Sequence, residues 1–148
     1  MPRTLVVADY PIGYPSGYGE TLWNLFQGFP SHDIWCAYPS HLRPVDGKAM
    51  GLSMPLTPPH YPSWIPPKIA IGYQPILKMR QRAFVKDSVR QLVLAAKSNG
   101  ITNVLAIPVS FALFQIALLA SRQLSNGRLI LFVMDDWQGH HECHGLPF

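Results

Sequence analysis

The chain has 148 residues, 48% of them hydrophobic and 14% charged, with a net charge of +4. This composition excludes a disordered chain and allows one domain with a sizeable core, while the sparse charge predicts a surface covered by a partner domain or a membrane. The two cysteines, Cys36 and Cys143, have no CxxC spacing and supply neither a disulfide framework nor a zinc motif; with no basic and then apolar leader in view, a cytoplasmic setting is expected.

In chain order, "RTLVVADY" predicts a first strand buried on both faces, as in a parallel sheet. A loop with Gly13, Gly17 and Gly19 follows, then a short helix, "GETLWNLFQGF", with Leu22, Leu25 and Phe26 at helical spacing. Residues 33–38, "DIWCAY", predict a second strand. From Pro39 to about Pro67 the chain is proline-rich and reads as one irregular loop, of a length that compact domains keep for function.

A helix is predicted from roughly Pro75 to Ser98. Leu77, Phe84, Val85, Val89, Leu92, Val93 and Ala96 make its apolar stripe. Lys78, Arg80, Arg82, Lys86, Arg90 and Lys97 occupy mostly the other side, and "SNG" closes the helix with Gly100 at a C-cap position. The stretch from Ser98 to Ser121 carries no charge. It approaches the roughly 20 residues that cross a bilayer. Pro108, Ser110 and Gln115 favour instead a buried strand, "NVLAI", and a helix over about 110–124 capped by Ser110. A second "SNG" and the strand "RLILFVMDD" complete the set. The order predicts a Rossmann-like three-layer α/β domain with a mostly parallel sheet, whose ligands sit at the carboxyl ends of the strands.

The glycine loop fails both common nucleotide patterns. Leu22 stands where a third glycine of G-x-G-x-x-G belongs, Tyr38 and Pro39 replace the acidic residue after the second strand, and the loop has no Walker lysine. Two readings remain: "SGYG" aims backbone N–H groups and a helix dipole at an anion, or it is a turn that needs glycine for its φ angles. No Arg or Lys is expected beside the loop. Near the end of the sequence, Asp135 and Asp136 close the last strand at the same sheet edge. The cluster His140, His141, Glu142, Cys143 and His144 narrowly misses H-E-x-x-H, because Gly145 stands where the second histidine is required. Gly139 and Gly145 argue against a helix there, and no metal is expected. The basic helix reads as a solvated face or as a surface for anionic membranes, through Lys78, Arg80, Arg82, Lys86 and Arg90. Nucleic acid is disfavoured, because the bases lack interleaved surface aromatics.

"LVVADYPIGYPSGYGETLWNLF" is similar to the start of family-4-type glycosyltransferases of the GT-B fold, and "LILFVMDDWQ" resembles the strand-end "MDDW" of some bacterial members. The resemblance implies that residues 1–148 form the Rossmann-like, acceptor-side N-terminal half of a GT-B fold. It places Ser16, Gly17, Tyr18 and Gly19 toward the donor diphosphate and the acceptor, with Trp137 also in the binding site. Asp135 or Asp136 would be the catalytic contact to the transferred sugar, where many relatives have histidine. A nucleotide sugar would be the donor substrate and a hydroxyl the acceptor, with no cofactor. Most of the donor site would come from a second domain, C-terminal or separately encoded, so the 148 residues alone are expected to be inactive. The alternatives are a non-enzymatic module that docks onto a separate catalytic half, and a small membrane protein spanning at 98–121.

Overall fold

The apolar run Leu5–Ala8 lies in the middle of a five-stranded sheet, hidden from solvent on both faces. The structure, a computed structural model, describes residues 3–59, 67–107 and 110–132, with backbone alone over 67–71. Its elements are β1 (Thr4–Ala8), α1 (Gly17–Phe26), β2 (Ile34–Pro39), β3 (Leu52–Leu56), α2 (Pro67–Ser98), β4 (Asn103–Ile107), α3 (Phe111–Gln123) and β5 (Arg128–Leu131). The strands run in the order β3-β2-β1-β4-β5, and every pairing is parallel. This is the doubly wound arrangement of a Rossmann-like domain. Its strand order reverses between β1 and β4.

Alternation along the strands divides the core in two. Leu5, Val7, Ala37, Val104 and Ala106 face α2 and α3. Val6, Ala8, Cys36, Leu105 and Ile107 pack with Leu22 and Phe26 of α1. Burial pushes the Cys36 thiol up to about 12, against a smaller opposing effect from a backbone hydrogen bond with Ile12. A thiol held neutral in this way fills the core and is not a nucleophile. Leu25, expected in the apolar stripe of α1, is instead 42% exposed.

Two elements differ from the sequence expectation. The proline-rich stretch 39–67 is not wholly irregular, since it contains β3, whose Pro55 pairs with Tyr38 of β2. Proline lacks a ladder donor, and an edge strand tolerates that loss on its outer side. Helix α2 starts at Pro67 and continues through Pro75, giving 32 residues and a length of about 48 Å. Pro75 removes one internal hydrogen bond without ending the helix. From Gly72 to Ala83 only Tyr73 and Leu77 are even half-buried, so the helix packs on the sheet from Phe84 onward.

The two "SNG" turns use different residues for the left-handed position. After α2 it is Gly100 (φ 64°), with the Ile101 N–H donating to Ala96 O at 2.9 Å in a Schellman closure. After α3 it is Asn126 (φ 61°). The uncharged stretch 98–121 is divided between β4 and α3, which overturns the single-span alternative. No described helix is long and apolar enough to cross a membrane.

Candidate functional site at the switch point

Asp9 is the first residue after β1, and it reaches across the point where the strand order reverses. Its Oδ2 accepts the backbone N–H of Ser110 at 2.9 Å, from 101 residues away. Ser110 is the N-cap of α3, but its hydroxyl makes no capping bond. The expected serine capping bond is therefore not made, and Asp9 instead satisfies the backbone N–H of the N-cap residue itself, with a charge that suits the positive end of the helix dipole. Asp9→Ala should cost about 1–2 kcal/mol and Asp9→Asn less, read as shifts in the urea midpoint. A midpoint unchanged in Asp9→Ala would remove the capping role.

The glycine loop is a closed hydrogen-bonded unit. Pro11 and Ile12 are buried in the core. Gly13 N–H donates to Gly19 O at 3.1 Å, Tyr14 N–H to Pro11 O at 3.0 Å and Ser16 N–H to Tyr14 O at 2.7 Å. The Ser16 hydroxyl caps α1 by accepting from Gly19 N–H at 3.2 Å. A Cβ at Gly19 would lie 2.2 Å from Tyr14 O, and one at Gly13 would lie 2.4 Å from Lys48 O. Gly17 differs, with nothing within 4 Å of its Cβ position. Of the four residues expected to face a ligand, Ser16 and Gly19 satisfy each other, while Gly17 and Tyr18 border open space or the surface.

Three tyrosines gather over this loop. Tyr10 lies 5.3 Å from Tyr14, tilted by 33°, and 5.6 Å from Tyr18, nearly parallel at 14°. All three are half-buried, so part of their ring surface remains accessible. Tyr18 was expected in the site. Asp9, Tyr10 and Tyr14 were not, although Asp9 is the first polar residue after an apolar strand and the tyrosine spacing is visible in "DYPIGYPSGY".

A lysine does lie beside the glycine loop, contrary to expectation. The loop between β2 and β3 folds back, with the Val45 N–H bonded to Gly13 O at 3.0 Å. This brings Lys48 Nζ to 2.7 and 2.9 Å from the two carboxylate oxygens of Glu20 in the first turn of α1. Sequence distance concealed the contact. Asp135, Asp136, Trp137 and the His140–His144 cluster lie outside the described residues. Among the described residues, no group of three or more His, Cys, Asp or Glu side chains could hold a metal ion. Lys78, Arg80, Arg82, Lys86 and Arg90 are exposed along α2.

No protein-family model, no curated protein and no solved structure matches this chain. The glycosyltransferase resemblance rests on the two sequence motifs.

Chemically, this sheet edge offers a carboxylate and aromatic faces. Both helix N-termini beside it already bind a protein oxygen, α1 from Ser16 and α3 from Asp9. A phosphate approaching α3 would meet the like charge of Asp9. A hydroxyl-bearing ring would find an acceptor and a stacking surface.

Proposed function

We propose that this chain is the acceptor-side wall of a glycosyltransferase of the GT-B type, binding a hydroxyl-bearing acceptor at the β1/β4 switch point. The carrying observation is the cluster of Tyr10, Tyr14 and Tyr18 in the loop that begins at Asp9, at the sheet edge where doubly wound domains bind ligands. Asp9 would orient acceptor hydroxyls, the tyrosines would stack on the ring, and Gly17 would leave room for it. The nucleotide-sugar donor would be held mainly by a second domain or chain. The motifs around the glycine loop and "MDDWQ" favour this reading over other ring-binding functions.

Saturation-transfer NMR with a panel of methyl glycosides, and with uridine diphosphate for comparison, tests it. Glycosides should give the stronger signal, and Tyr10→Ala should weaken them about three- to tenfold. The purified 148-residue chain should transfer no sugar from any nucleotide sugar. Diphosphate binding that survives both Tyr10→Ala and Asp9→Asn, or turnover by the chain alone, would overturn the proposal.

A further inference from the structure

A second surface lies on the helical side of the sheet, between α2 and α3, where an open groove of about 660 Å³ runs between the helices. Val85, Val89 and Val93 form its floor, and Leu94 and Leu119 stand at its sides, 60% and 38% exposed. Arg82, Lys86 and Arg90 line one wall, with Asp87 the one acid among the lining residues.

The bases follow a regular row. Lys78, Arg82, Lys86 and Arg90 are spaced four residues apart, a step of about 6 Å along the helix axis. Like charges at this spacing repel and destabilise a helix by a few tenths of a kcal/mol per pair. Among the described residues, none of the four is in an ion pair. The row thus carries a repulsion that an anionic partner of matching pitch would relieve.

We infer that this groove receives an amphipathic α-helix from a partner protein, with carboxylates at four-residue spacing along the edge of an apolar stripe. Such a helix repeats its carboxylates at the same step of about 6 Å as the basic row. Its apolar side chains would enter the groove over the valine floor, in the helix-in-groove mode. A lipid surface matches the charge but not the shape. Leu94 and Leu119 protrude, but the valine floor between them is buried, so an inserted side chain reaches apolar surface that a bilayer would leave uncontacted.

The test uses a synthetic amphipathic peptide about five turns long, with Glu at every fourth position beside a leucine stripe, read by fluorescence anisotropy. Saturable binding is expected, weakened at least about tenfold when Gln replaces Glu or when the protein carries Arg82→Glu, Lys86→Glu and Arg90→Glu together. These three positions are exposed, and circular dichroism melting checks that the triple variant folds. A peptide with Lys in place of Glu should bind that variant and not the parent chain. Leu119→Asp on α3 should weaken the acidic peptide as well. Equal binding of the Glu and Gln peptides, or indifference to the triple substitution, would overturn the inference. So would retention on phosphatidylglycerol vesicles without peptide binding, which would assign the surface to a membrane.

Discussion

Gly13→Ala should destabilise the fold by about 2–5 kcal/mol, whereas Gly17→Ala, four residues later, should change stability by no more than about 0.5 kcal/mol. Gly13 has φ +78°, a conformation that costs an L-residue about 1–2 kcal/mol. An added Cβ would also stand 2.4 Å from Lys48 O and 2.6 Å from Lys48 Cβ. The first of these is backbone, and it cannot turn aside as a flexible side chain could. Gly13 is held on both sides, since its N–H donates to Gly19 O and its carbonyl accepts from Val45 N–H. Overpacking of this kind adds about 1–3 kcal/mol. Gly17 opens α1 with no neighbour in reach, and alanine is the better helix former. Urea melts of the two variants check the contrast. If Gly13→Ala melts with the parent chain, the loop is not packed against the β2–β3 segment. Gly17→Ala is also the sharper functional probe, because losing glycoside binding without losing stability would place the ligand at that residue.

The second large effect is expected at Leu92. Leu92 is 0% exposed, within the cluster that joins α2 to the sheet and to α3. Leu92→Ala should cost roughly 2–5 kcal/mol, the transfer term plus the cavity left behind. Leu94→Ala, on the same helix but 60% exposed, should stay within about 0.5 kcal/mol. The contrast is large because the buried residues among the described side chains of α2 begin at Val85, so those from there on fix its position. Guanidinium unfolding with both variants tests this, and comparable losses at the two sites would show that the helix packs on another face.

The sequence made some elements legible and concealed others for definite reasons. β1 and β4 were readable because a strand buried on both faces of a parallel sheet is a continuous apolar run, as in "LVVA" and "NVLAI". β3 was not, because "LSMPL" is short, lies at the sheet edge and contains a proline that normally argues against a strand. The start of α2 was misplaced because proline favours a first turn, which drew the boundary to Pro75. Between Gly13 and Gly19, glycine count suggested an anion cradle, yet Gly13 and Gly19 answer close backbone contacts that appear only in three dimensions. The Lys48–Glu20 pair and the Asp9–Ser110 bond were likewise invisible, since each joins residues far apart in the chain. Tyr10 and Tyr14 stand in plain view in "DYPIGYPSGY", but the glycine pattern points only to Tyr18.

The bond from Asp9 to Ser110 also means that a ligand bound at the proposed site and α3 would share one carboxylate. A ligand hydroxyl that draws Oδ2 toward itself takes the acceptor from the N-cap N–H of α3. One that leaves Oδ2 in place does not. By thermodynamic reciprocity, whatever the first kind of ligand does to α3, the state of α3 must do to that ligand's affinity. Helix α3 also forms one side of the groove proposed to receive a partner helix. Occupancy at the sheet edge and docking on the helical face can therefore influence each other through the end of one helix.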